Sequence, residues 1–329
     1  MKLVTCEPKT SDQSSRFLAA AVSEDVFIDL RSVDSIIHKD ASGDRIPNDI
    51  IEMISNPGRY YPLAEEVIRF AKGSPDEINA RAASKVAWRK SELRFLPTIP
   101  RPGKILHTSV NFSDHKKEVA SAFKGDAWKA QDWGSFHYQH PTGFLQAPSS
   151  TVGTEEAIYI PSFTEQLDYE IELAIVIGKK AKNVSKENAL DYVAGYCVFN
   201  DVSARDIQSR EHANKVILLG KSFDTSCPLG PWLTTIDEIA DPQDLKMTLR
   251  LNGEIRQDSS TKNMVFGVAD LVSWWSNITL EPGDVITSGS PSGVIAGHAN
   301  PVWLAPGDRI EATIAGLGQL VNTVAALPA

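Results

Sequence analysis

Two glutamates, Glu170 and Glu172, stand one residue apart at the head of the apolar run Leu173–Ile177, which Gly178 closes. The β-branched content and the closing glycine read as a buried strand. In a strand, residues i and i+2 point to the same face, so the two carboxylates project side by side where their neighbours are buried. Two unpaired carboxylates in a low-dielectric setting repel, and one takes up a proton unless a cation intervenes. Hard oxygen donors suit Mg²⁺, Mn²⁺ or Ca²⁺. A second strand-like run, Tyr192–Asn200, ends at Asp201, which is placed to supply a third carboxylate. Three carboxylates from two strands make an open facial site with room for waters and substrate. The alternative is the exposed face of an edge strand, with both glutamates in water.

Four further stretches carry chemistry-bearing residues. His115 and Glu118 lie at i and i+3 of a short helix that Ser113 can cap, so they face the same way. A neutral histidine beside a carboxylate is a general-base arrangement, although the charged string DHKKE also fits a solvated helix face. Lys221, between Gly220 and the turn 228–231, is either at a rim in water or a charge partner, with the surface as the default. The glycine-rich turn 288–294 (SGSPSGV) is an ordinary surface turn or a nest whose backbone N–H groups meet a carboxylate. Residues 124–140 lack a clear period and read as a long loop of the kind that forms lids.

Elements must hold these residues. Met1–Cys6 and Phe17–Leu30 read as strands, 60–72 as a helix, and 80–89 as a weaker helix. A proline-rich stretch, 96–103, reads as a linker. It divides a small N-terminal α+β domain, 1–100, from a main domain, 101–329. Lys104–Val110 opens the main domain as a strand. Lys246–Asp258 is a hairpin with Asn252-Gly253 at its tip, and Met264–Trp275 is an amphipathic helix. Pro282-Gly283-Asp284 and Pro306-Gly307-Asp308 each precede a strand.

Composition narrows the field. The chain has 329 residues, 42% of them hydrophobic, and a formal net charge of −9. Acidity of that size argues against a nucleic-acid partner. Three scattered cysteines form neither a disulfide framework nor a zinc pattern. With no signal peptide in view and no apolar run of membrane-spanning length, the expected compartment is the cytoplasm, without a membrane partner.

In order along the chain, IELAIVIGK after Asp168-Tyr169-Glu170, FNDVSARDIQ, GKSFDTSCPLGPW and ITSGSPSGV resemble the motif series of the fumarylacetoacetate hydrolase family. SVNFSDHKKE resembles that family's loop-and-helix element. The resemblance implies an α+β, β-rich fold, a mixed twisted β-roll, in a homodimer. It implies that Glu170, Glu172 and Asp201 hold Mg²⁺, with Mn²⁺ as a substitute. His115 and Glu118 would activate a water, and Lys221 would stabilise developing negative charge. Gln208 could bond the substrate, and Gly289 with Ser290 a substrate carboxylate, while Arg205 would be structural. Gln146 stands where many relatives have lysine. Thr108 stands nearest to an extra metal carboxylate of the larger members. The implied reaction is metal-dependent hydrolysis of a C–C bond in a 1,3-dicarbonyl acid, such as an acylpyruvate, fumarylpyruvate or fumarylacetoacetate-like compound, in the breakdown of ring-cleavage products. The alternatives are decarboxylation, isomerisation or hydration of a 2-oxo acid at the same site, or a silent relative that only binds a small acid.

Overall fold

A computed structural model describes residues 1–10, 16–38, 43–73, 75–82, 84–122 and 138–328. The 124–140 loop therefore lies almost wholly outside the described residues. Among them, the architecture is α+β and strand-rich, built on one large mixed sheet and a smaller five-stranded one. The strand Ile171–Ile177 sits inside the large sheet, antiparallel to Val193–Asn200 on one side and to Val285–Thr287 on the other. All seven of its residues are buried. Period-two alternation explains how: Ile171, Leu173, Ile175 and Ile177 enter one hydrophobic core, whereas Ala174 and Val176 enter another. A strand buried on both faces reads as a continuous apolar run, and IELAIVI is one apart from Glu172.

The first core is closed by the five-stranded sheet and the helix Val268–Trp275, which contribute Met247, Leu249, Ile310, Leu271 and Val272. The second is closed by the N-terminal helices Leu30–Ile37, Ile50–Ser55 and Pro57–Phe70, through residues such as Val33, Met53 and Val67. The N-terminal strands continue the large sheet: Lys2–Pro8 pairs antiparallel with Cys227–Thr235, across the proline-rich stretch. Each fully buried aliphatic side chain contributes about 1.5–3 kcal/mol, so both cores hold the central strands rigidly.

Several local expectations change. The segment 80–89 is not a helix. The Asn79 side-chain oxygen accepts from the backbone N–H groups of Val86 and Ala87, at 2.7 and 2.9 Å, and Ala87–Arg89 joins the sheet beside Val26–Asp29. Sheet pairing overrides a helix-compatible composition there. The 264–275 helix begins only at Val268, after a 3₁₀ turn at Thr261–Asn263. Of Lys104–Val110, only Ile105–Leu106 is a strand. The hairpin is present, with Asn252 and Gly253 both at positive φ as a two-residue tip requires. No helix among the described residues is long and apolar enough to cross a membrane.

Candidate active site

The site forms where the central ladder ends. Ile171 pairs with Asn200, so the next step out sets Glu170 opposite Asp201, and the Asp201 N–H donates to the Glu170 carbonyl at 2.9 Å. Opposed residues in a ladder bring their side chains within about 5 Å. Glu170, Glu172, Asp201, Lys221, His115, Gln208, Gly289 and Ser290 all line one cavity of about 70 Å³. That volume takes a few waters or a small acid.

Glu170 is not unpaired. Arg205 Nη2 donates to its Oε1 at 2.6 Å and Lys221 Nζ to its Oε2 at 2.8 Å. Lys221 also donates to Asp201 Oδ2 at 2.6 Å. It is a buried charge partner, 2% exposed, and not a surface lysine. Burial opposes charge on Glu170, but Arg205, Lys221 and His115 outweigh it and hold the carboxyl well below its usual range. Burial likewise opposes charge on Lys221, and Asp201 and Glu170 outweigh it to push the ammonium up. Glu172 goes the other way. Burial, then Asp201 and Glu170, raise its carboxyl far above the usual range.

Arg205 ties the site to its frame. Besides Glu170 it donates from Nε to Asp168 Oδ2 at 2.8 Å and from Nη1 to Gln208 Oε1 at 2.9 Å. Asp168 in turn accepts from the backbone N–H groups of Tyr169, Ile295 and Ala296. Because Gln208 turns its oxygen to Arg205, its amide nitrogen faces the other way.

The helix Ser113–Ala122 carries the dyad. His115 is 6% exposed, so this face is not solvated. His115 Nδ1 donates to Glu118 Oε2 at 2.8 Å, and Glu118 Oε1 accepts from the Gly293 N–H at 2.9 Å. With its proton on Nδ1, the ring presents Nε2 as a base, 4.0 Å from Glu170 Oε1. Gly293 has φ +104°, and a Cβ there would meet the Arg256 carbonyl oxygen at 2.2 Å.

The glycine-rich turn uses its donors within the protein. The Gly289 N–H donates to Glu172 Oε2 at 3.1 Å, and the Ser290 hydroxyl accepts from Gln257 Nε2 at 2.9 Å.

The structure adds Asp168 and His107 to the site and gives a role to Gln146, which the sequence marked only as standing where many relatives have lysine. Asp168 anchors Arg205. His107, at the end of Ile105–Leu106, places Nδ1 3.4 Å from Asp201 Oδ2 and 3.9 Å from Glu172 Oε2. Gln146 bonds His107 Nε2 through its oxygen and Asp201 through its nitrogen. A polar residue at the end of a short strand was the available signal for His107 and Gln146.

The sequence pattern of the fumarylacetoacetate (FAA) hydrolase C-terminal family matches residues 104–325. The chain belongs to that family and is an enzyme of the fumarylacetoacetate hydrolase superfamily. It is 41% identical over 246 residues, 74% of each chain, to the mitochondrial oxaloacetate tautomerase Fahd2a of Rattus norvegicus. It is 34% identical over 311 residues, 94% of this chain and 96% of the other, to the oxaloacetate tautomerase YisK of Bacillus subtilis. A solved fumarylacetoacetate hydrolase from psychrophilic Exiguobacterium antarcticum superposes with a TM-score of 0.73 at 31% identity, covering 99% of this chain and 100% of that one.

The residues present suit a divalent cation. Four buried carboxylates, Asp168, Glu170, Glu172 and Asp201, face two buried cations, Arg205 and Lys221. Once Glu172 gives up its proton, the excess of two negative charges at low dielectric is what a divalent ion neutralises. Donor atoms of His107, Glu172 and Asp201 all lie within 4.8 Å of one another.

Proposed function

We propose that the protein interconverts the keto and enol forms of a small 2-oxo dicarboxylic acid of the oxaloacetate type, with Mg²⁺ or Mn²⁺ bound through Glu172 and Asp201 and supported by Glu170. The observation that carries this reading is the His115–Glu118 pair aimed at the carboxylate cluster across a small cavity. The two tautomerase relatives, one of them matched along nearly the whole chain, favour this substrate over others. When bound, the ion would act as a Lewis acid on the 2-oxo oxygen.

The chain's own residues then have distinct tasks. His115 Nε2 takes the proton from the carbon next to the carbonyl, and Glu118 holds the imidazolium that results. Lys221 opposes the negative charge that builds on the oxygen, a contribution of about 3–4 kcal/mol for a well-aimed donor. The same proton returns at oxygen, so no atom is gained or lost. Arg205 fixes Glu170 and Gln208, and the Gln208 amide nitrogen meets the distal carboxylate.

A second reading keeps the residues and changes the proton's source. His115 would deprotonate a water that attacks the distant carbonyl of an acylpyruvate, cleaving the C–C bond. The likeness to the Exiguobacterium hydrolase favours it. Decarboxylation, hydration and silent binding have no such specific support.

The test follows enol oxaloacetate by ultraviolet absorbance with Mg²⁺ and identifies products by chromatography. The expected result is accelerated decay to the keto form without pyruvate, and a loss of about 10²–10⁴ in turnover for His115→Ala with metal retained. Unchanged oxaloacetate kinetics beside cleavage of an acylpyruvate into two acids would overturn it in favour of hydrolysis.

A further inference from the structure

Glu118 is seated by a segment 175 positions further along the chain. Its Oε1 accepts from the Gly293 N–H at 2.9 Å, and a Cβ at Gly297 would come within 2.2 Å of the same oxygen. Asp114, one turn earlier on that face of the helix, accepts from the Ser292 hydroxyl at 2.9 Å. Val119 packs against Val294 and Ala296. The helix Ser113–Ala122 is thus docked on residues 292–297, and the place of Glu118 follows the place of that segment.

Two adjacent residues fix the segment in turn. Asp168 accepts from the Ile295 and Ala296 N–H groups at 2.8 and 3.1 Å, and the Tyr169 hydroxyl donates to the Gly293 carbonyl at 3.2 Å. Gly293 lies outside every helix and strand, so no ladder orients its carbonyl, and at φ +104° its backbone has the wide freedom of glycine. One residue therefore gives its N–H to the dyad and receives the Tyr169 hydroxyl on its carbonyl. Tyr169 enters the core with Ile171 and Leu173, the face opposite the two glutamates. Its ring lines a separate cavity of about 200 Å³ with Arg256 and Trp303, and not the substrate cavity. Burial, then Asp168, pushes the phenol above its usual range, so it keeps its proton and stays a donor. Phenylalanine would serve the packing alone; what tyrosine adds is this bond.

We propose that Tyr169 is a positioning residue for the proton transfer: through Gly293 it keeps Glu118 Oε2 on His115 Nδ1, and so keeps His115 Nε2 turned toward the carboxylate cluster. The dipeptide Asp168-Tyr169 thereby sets both halves of the site, with Asp168 holding Arg205 beneath Glu170 and Tyr169 holding the base above it. This deepens the dyad reading above and rests on it.

The test is a double-mutant cycle on the full chain with Mg²⁺, read as turnover of enol oxaloacetate, or of acetylpyruvate if the product analysis above selects hydrolysis. Tyr169→Phe keeps the ring and should lower kcat about tenfold, as a misplaced catalytic group does. Its KM and its calorimetric Mg²⁺ affinity should stay within about twofold of wild type. Glu118→Gln should lower kcat about 10²-fold or more. In the Glu118→Gln background, Tyr169→Phe should cost less than about a further twofold, because the group it positions is already disabled. A merely structural role would lower kcat by the same factor in both backgrounds. Gly297→Ala presses a methyl group on Glu118 and leaves Tyr169 intact, and it should show the same loss of kcat at unchanged KM. Wild-type kcat in Tyr169→Phe or in Gly297→Ala, or an equal loss from Tyr169→Phe in both backgrounds, overturns the assignment and leaves the dyad standing. Wild-type kcat in Glu118→Gln overturns the dyad itself, and this inference with it.

Discussion

Replacing Arg205 by methionine removes one cation from beneath the site and keeps most of its volume. The guanidinium donates to Asp168 at 2.8 Å, to Glu170 at 2.6 Å and to Gln208 at 2.9 Å, all buried. Asp168 retains three backbone N–H donors, so its loss is the smaller. Glu170 keeps the shared Lys221 and, 4.0 Å away, His115, and Gln208 loses the partner of its oxygen. Removing one member of a buried pair costs about 3–5 kcal/mol, which lowers the melting temperature by about 10 °C in a domain of this size. Urea unfolding in EDTA, with the slope checked for constancy, measures the difference. The partner variant, Glu170→Gln, removes the charge on the other side. Combined with Arg205→Met, it should recover at least about 1 kcal/mol relative to the sum of the single changes, as directly coupled residues do. A cost for Arg205→Met below about 1 kcal/mol, or strict additivity in the double variant, would refute the claim that this arginine holds the frame through Glu170.

Glu172 raises a case of opposite sign. Its folded-state pKa lies above the unfolded value, so in metal-free protein stability falls as pH rises from the unfolded value through the folded one. Glu172→Gln should therefore raise the melting temperature of EDTA-treated protein, more at mildly alkaline than at mildly acidic pH, while calorimetry shows metal affinity lost. Gly293→Ala forces a Cβ against the Arg256 carbonyl and displaces the N–H that holds Glu118. It should lower kcat about tenfold or more with metal affinity unchanged, a split that steady-state kinetics and calorimetry report together. Cys6, Cys197 and Cys227 are buried, and burial pushes each thiol up, Cys197 to about 12. Native protein should resist a thiol reagent that titrates all three after denaturation.

The structural neighbourhood departs from sequence expectation mostly where charge is concerned. A lysine at 221 carries no mark of burial in its own sequence. The turn that follows Arg205–Ala213 folds it inward, where Glu170 and Asp201 neutralise it. The charged string after Asp114 reads as a wet helix face until Gly293 and Ser292 close over it from a segment almost 180 residues away. Helix-compatible composition at 80–89 yields to an open sheet edge that only the three-dimensional arrangement supplies.

Local order in this chain is a property of its residue pattern. An uninterrupted apolar run with carboxylates at its head, an Asn-Gly tip and the motif series around Asp201 and Lys221 suffice to name the family and to gather Glu170, Glu172 and Asp201 in one region. These features depend on neighbours a few residues apart, so the chain records them directly. Tertiary structure alone decided which charges meet. His107 reaches Asp201 across 94 positions, Gln146 reaches Lys221 across 75, and Arg205 satisfies the glutamate that the sequence left unpaired. Pairing between buried charges is set by sheet order and by the packing of loops onto it, and neither is encoded in the spacing of the residues themselves.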